Sequence, residues 1–184
     1  MSLVEKTTTP IGSYAPDFEL PGIDEQVHHL WRYLQRWRGI GVVFLCNDSP
    51  YVLSYIERLK QLQTQFEKQR FTLVGINANY ANRYHEQSLK NMKDFALQSQ
   101  LNFPYLWDAT QDVAHSFGAN KTPETFLVDQ QGILRYHGAI DDNPENPKAV
   151  QVSYLEKAIA SLLAGEEISL KSTEAIGSSL KWRQ

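Results

Sequence analysis

The sequence predicts an α/β domain on one central mixed sheet, with parallel strands at one end, an antiparallel hairpin at the other and helices on both faces. Three observations carry this. Two apolar, β-branched runs, "IGVVFLC" (40–46) and "FTLVGIN" (71–77), enclose a long helical pattern, and a strand–helix–strand unit of that length makes its strands parallel. "ETFLVD" (124–129) and "ILRYHGAI" (133–140) are strands joined by "QQG", a turn that makes them antiparallel. The chain has 184 residues, 42% of them hydrophobic, which suits one domain with a full core.

The elements follow in order. "YAPDFELPG" (14–22) is a short extended piece between prolines. In "VHHLWRYLQRW" (27–37), Leu30, Leu34 and Trp37 recur at helical spacing, giving a short amphipathic helix or a strand–helix junction that ends at Gly39 and Gly41. After the first buried strand, Ser49 and Pro50 form a helix start, serine as N-cap and proline at the first helical position. Val52, Ile56, Leu59, Leu62 and Phe66 then repeat on one face. Residues 85–101 form a second helix with Leu89, Met92, Phe95 and Ala96 on one side, and "FPYLWD" (103–108) is extended. Residues 110–119 form a helix closed by Gly118; residues 152–165 form the last, with Leu155, Ile159, Leu162 and Leu163 inward and Gly165 as cap. Residues 1–13 read as a flexible arm, 14–165 as the domain and 166–184 as a tail packing on it.

Composition excludes several classes. A net charge of −3 without a Lys/Arg block argues against a nucleic-acid partner. No apolar run reaches the roughly 18 residues of a membrane span, and the first twelve residues lack the apolar stretch of a secretory leader. A single cysteine builds no disulfide framework and fits a reducing, cytoplasmic setting.

That cysteine, Cys46, stands where the first buried strand meets the helix capped by Ser49. Sites in open α/β sheets form at such strand ends. Only the thiolate is nucleophilic, and an ordinary thiol is about 3% ionised at pH 7. The positive end of a helix favours the anion. Pro50 removes one N–H donor, and Asp48, two residues away, opposes ionisation. The competing reading is a small buried hydrophobe, the usual fate of free cysteine. Ser49 equally reads as a plain cap or as a hydroxyl one turn from the sulfur.

Seven segments in register, "APDFEL" (15–20), "FLCNDSPYV" (44–52), "MKDFA" (92–96), "FPYLWDATQDVAHSFGA" (103–119), "KTPETFLVDQQG" (121–132), "GAIDDN" (138–143) and "IGSSLKW" (176–182), resemble the thioredoxin-like alkyl hydroperoxide reductase/thiol-specific antioxidant superfamily. The nearest branch reads Phe-x-Cys-Asn-His-Cys-Pro-Tyr-Val at its active site. The resemblance implies a thioredoxin-like fold, a redox site at Cys46, Ser49 and Pro123, and a cis peptide bond from Thr122 to Pro123 facing the sulfur. Asn47, Asp48, Pro50, Lys121 and Thr122 are its expected substrate-binding neighbours. The chain departs from the branch at four positions. Ser49 stands in place of the second thiol, Asp48 in place of histidine, and Lys121 and Ser178 in place of further cysteines. Peroxiredoxins attack peroxide with the sulfur at the position of Ser49, which argues against their usual route here.

Three functions follow as expectations. A monothiol oxidoreductase forms a mixed disulfide at Cys46 and is released by an external thiol, glutathione or a thioredoxin system. A one-cysteine peroxidase passes through a sulfenic acid. A non-catalytic binding module holds an extended peptide at the cis-proline loop by strand pairing. The expected partner is a disulfide-bearing protein or a small thiol or peroxide, the expected state a monomer or weak dimer, with no bound cofactor and no metal. The histidines, His28, His29, His85, His115 and His137, form no metal spacing. Asp141, Asp142 and Glu145 read as a solvated turn and not a calcium loop. Tyr80, Tyr84, Tyr105 and Trp107 fit a cleft or a core rim.

Overall fold

The computed structural model describes residues 9–81 and 85–184. Strands β1 (Glu19–Pro21) and β2 (Val27–His29) form a hairpin leading into α1 (Leu30–Arg36). The unit β3 (Gly39–Leu45), α2 (Pro50–Phe66) and β4 (Phe71–Asn77) follows, then α3 (His85–Gln98), β5 (Tyr105–Trp107) and α4 (Asp112–Phe117). The chain continues through β6 (Lys121–Thr122), β7 (Glu124–Asp129), β8 (Leu134–Gly138), α5 (Tyr154–Leu163) and β9 (Ser178–Ser179).

The main sheet has the order β5-β4-β3-β7-β8. β3 runs parallel to β4 from Gly39↔Phe71 to Leu45↔Asn77 and antiparallel to β7 from Gly39↔Asp129 to Phe44↔Glu124. Every residue of β3 and β4 is buried, in keeping with their largely apolar composition; only Thr72 and Asn77 carry polar side chains. Alternate side chains feed two cores. Val43, Leu45 and Leu73 meet α2, α3 and α5 on one face, while Ile40, Val42, Phe44 and Val74 meet α1, α4 and Leu180 on the other.

Several boundaries differ from the expectation for local reasons. The segment 27–37 divides into a strand and a helix. The "FPYLWD" piece contains a parallel edge strand, because Gly75, Ile76 and Asn77 offer it a ladder. α3 stops at Gln98, where Gln100 turns left-handed at φ 51°. Residues 9–13, read as part of a loose arm, are tied to the body: Gly12 N–H donates to Leu134 C=O at 2.8 Å and Thr9 Oγ1 to Ser116 C=O at 2.8 Å. Tyr84 and residues 1–8 lie outside the described residues. Among the described residues no helix is long and apolar enough to cross a membrane.

The "IDDN" turn is not the solvated loop its composition suggests. Asp141 is 4% exposed and pairs with Arg58 at 2.8 Å, while Tyr55 Oη and Asn143 N–H each donate to it at 2.9 Å. Arg58 also donates to the Asn143 and Pro144 carbonyls, so α2 is pinned to the chain after β8. Burial, then the Asp141 carboxylate, pushes the Tyr55 phenol well above its usual range, so it remains a donor. Asp141→Ala strands the buried guanidinium and is expected to lower unfolding free energy by about 3–5 kcal/mol, read from urea denaturation.

α4 begins with Gln111 at φ 69°, which makes no side-chain cap. Asp108 supplies the acceptor instead, taking the Ala114 N–H at 2.8 Å. Burial raises the Asp108 carboxyl above its ordinary value, against that hydrogen bond, which favours the anion. The folded state therefore binds this proton more tightly than the unfolded one. Its contribution to stability is full below about pH 4 and declines as pH rises through the raised value. Asp108→Asn is expected to remove that decline, leaving urea midpoints flatter with pH than those of the native chain.

Candidate active site

β3 ends at Leu45, and Cys46 occupies the step between it and the head of α2. Ser49 caps the helix in an extended conformation, its Oγ accepting the Val52 N–H at 3.4 Å, and Pro50 opens the first turn without a donor of its own. Opposite lies β6, followed by a cis Thr122–Pro123 peptide bond. The Cys46 Sγ is 3.3 Å from Thr122 Oγ1. Ser49 Oγ donates to Thr122 C=O at 3.4 Å and lies 2.7 Å from Ser178 Oγ on β9. Cys46, Ser49 and Thr122 are thus brought together from residues 73 to 76 positions apart, with Pro123 next in line.

The sulfur's residue is only 2% exposed, yet it forms part of the wall of a cavity of about 360 Å³ at the C-terminal ends of β3 and β4. Tyr80 and Trp107 line that cavity, whereas Tyr105 is fully buried beside it. Burial, the neighbouring Cys46 and Asp48 raise the Tyr105 phenol far above its usual range. It therefore stays protonated and donates to Asn47 Oδ1 at 2.8 Å, fixing the residue after the cysteine.

The remaining expected neighbours are placed differently. Asp48, largely exposed, stands at the rim of the same cavity and pairs with Lys181 at 3.4 Å. Lys121 turns to the tail, with Nζ donating to Ala175 C=O at 2.9 Å and pairing with Glu174 at 3.3 Å, so its ammonium serves the 174–175 segment. Among the described residues no cluster of three His, Cys, Asp or Glu is arranged to hold a metal ion.

Sequence reasoning missed Glu124. Its buried carboxylate accepts from Asn120 N–H at 2.6 Å, Lys121 N–H at 3.0 Å and His137 Nε2 at 2.8 Å, and His137 stacks on Phe126 at 4.3 Å. It shapes the loop that carries Thr122. The available signal was a carboxylate beginning an otherwise apolar strand directly after Pro123. Glu124→Ala leaves two backbone N–H groups unpaired and is expected to cost about 2–4 kcal/mol in urea denaturation. Lys121→Ala, which removes a partly exposed ion pair, is expected to change stability by less than about 1 kcal/mol.

Residues 11–137 match the AhpC/TSA family. The chain is 30% identical over 134 residues, 71% of its length and 70% of the relative's, to the thiol-disulfide oxidoreductase ResA of Geobacillus thermodenitrificans (strain NG80-2). Its structure superposes on a hypothetical protein from Sinorhizobium meliloti 1021 with a TM-score of 0.87 and 31% identity, covering 96% of this chain and 97% of that one. The thioredoxin domain of a thiol-disulfide oxidoreductase from Bacteroides vulgatus shares the fold at a TM-score of 0.59 and 17% identity, over 69% of this chain and 86% of that one. With a thioredoxin-like sheet and a family match spanning most of its length, the chain belongs to the AhpC/TSA family.

Proposed function

We propose that this protein is a thiol–disulfide oxidoreductase that works through Cys46 alone. The observation that carries the reading is the sulfur at the head of α2, 3.3 Å from the Thr122 hydroxyl on the cis-proline loop, on a residue that forms part of the wall of an open cavity. The likeness to ResA, itself a thiol-disulfide oxidoreductase, supports it.

The chemistry follows from the groups present. The Cys46 thiolate attacks one sulfur of a substrate disulfide; a Cys46–substrate S–S bond forms and the other substrate sulfur leaves as thiolate. The Thr122 hydroxyl is placed to donate to the anionic sulfur before attack. Ser49 sits at the head of the same helix but carries oxygen, so the mixed disulfide has no internal resolving thiol. An external thiolate attacks it, releases Cys46 and supplies the electrons. We assign that role to a low-molecular-weight thiol such as glutathione, or to a thioredoxin system, with no bound cofactor. A single thiol that depends on an outside reductant fits the reducing cytoplasm, and a monomer or weak dimer suffices for the reaction.

The test is to mix the reduced chain with a disulfide and follow the adduct by intact-mass spectrometry. A mixed disulfide on Cys46 is expected, stable until thiol is added, and absent in Cys46→Ser. Ser49→Cys is expected to shorten the adduct's lifetime by at least about tenfold and to end in an internal 46–49 disulfide. Absence of any adduct in the native chain, or sulfenic acid formation with peroxide in its place, overturns the reading.

A further inference from the structure

The strand-pairing edge beside Cys46 is already taken by the chain itself. β9 lies antiparallel to β6, with Thr122 opposite Ser178 and Lys121 opposite Ser179. Leu180 N–H donates to Asn120 C=O at 2.8 Å. Hydrogen-bonded pairs alternate along such a ladder, so Thr122 and Ser178, two residues on, form the next one. A Cβ on Gly177 would stand 2.5 Å from the Thr122 carbonyl oxygen, so the strap passes in close contact with the loop. It is also firmly held. Leu180 is buried in the α4-side core. Gln111 Nε2 donates to Lys181 C=O at 2.8 Å, and Gln111 Oε1 accepts the Arg183 N–H at 2.9 Å. An extended polypeptide that docks by adding a strand at Thr122 meets an occupied edge.

What stays open is the cavity on the other side of the sulfur, and its chemistry is specific. Asn79 Oδ1 accepts the Lys181 N–H at 3.0 Å and Asn47 Oδ1 accepts from Tyr105. Both residues line the cavity, and with their amide oxygens engaged elsewhere their –NH2 ends are the donors they have to offer a ligand there. Both signs of charge reach the same wall in exposed ion pairs that a charged ligand can exchange with, Lys181 with Asp48 at 3.4 Å and Asp94 with Lys90 at 3.5 Å. Such a lining suits a small zwitterion, its carboxylate taken by Lys181 and the amide donors, its ammonium by the aspartates.

We propose that the substrate of Cys46 is a small, zwitterionic, peptide-like disulfide, one arm of which enters this cavity, and that β9 excludes extended polypeptide. The inference rests on the reading of Cys46 as the nucleophile. In the step, the Cys46 thiolate displaces one arm as thiolate and keeps the other in a mixed disulfide. A second small thiolate then attacks that bond, returns Cys46 to thiolate and leaves as the new disulfide.

The experiment compares three probes on the full reduced chain by intact-mass kinetics: glutathione disulfide, uncharged bis(2-hydroxyethyl) disulfide and the disulfides of unfolded, scrambled ribonuclease. Each rate is divided by that of a free model thiol. Glutathione disulfide is expected to lead both others by at least about tenfold. Lys181→Ala is expected to lower the ratio of its rate to the hydroxyethyl rate at least about fivefold. Gly177→Ala, and independently Leu180→Ala, are expected to raise the ribonuclease rate at least about tenfold by loosening β9. Equal normalised rates for all three probes, or tail variants that leave the ribonuclease rate unmoved, overturn the substrate inference while the proposed activity stands. No adduct with any probe overturns the activity itself.

Discussion

The molecule depends on β3 being paired along both edges. All seven of its residues pair with the parallel neighbour and the first six with the antiparallel one, in continuous register, and all seven are buried. A strand so constrained cannot slide or tilt, because a one-residue slip would turn each core side chain to the wrong face. The consequence is positional. The chain leaves the sheet at a defined point, Cys46 follows it directly, and α2 begins four residues later under the Ser49 cap.

The opposite wall of the site is built from distant parts of the chain. Glu124 draws the backbone N–H groups of residues 120 and 121 toward its carboxylate, and the Thr122 hydroxyl arrives against the sulfur as a result. β9 closes the outer side of the same loop. The Arg58–Asp141 pair does comparable work on α2, tying the helix that begins at the active site to the far end of the hairpin. Removing water from these charges is costly, and further hydrogen bonds offset it: the Asn143 and Pro144 carbonyls accept from Arg58, and Tyr55 and the Asn143 N–H donate to Asp141. Charged groups hold the loops that support the site, while apolar packing holds its sheet.

This arrangement separates two features that a redox site of this family combines, a nucleophilic sulfur and an adjacent edge for a substrate strand. The sulfur remains beside the cis-proline loop. The edge is covered by the protein's own residues 178–179, and the approach that remains is a polar cavity lined with amides and both signs of charge.

Much of this was legible in the amino-acid order. The two β-branched runs, the serine–proline helix start, the "QQG" turn and the solitary cysteine at a strand end are local signals, set by backbone preference and side-chain periodicity, which neighbours in sequence largely control. The motifs also carried the family and, through that resemblance, the expectation of a cis-proline at Pro123 facing Cys46. The rest belonged to the tertiary structure. Asp141 looks solvated in its own turn and becomes a buried ion-pair partner because Arg58 and Tyr55 reach it from α2. Lys121 sits next to Thr122 in sequence, but Ala175 and Glu174 direct its ammonium away from the sulfur. β5 and β9 are too short to declare themselves and exist because β4 and β6 offer unpaired edges. Local sequence determines which backbone shape a segment prefers; where a charge finds its counter-charge, and which edge a two-residue strand completes, is decided only when segments far apart in the chain meet.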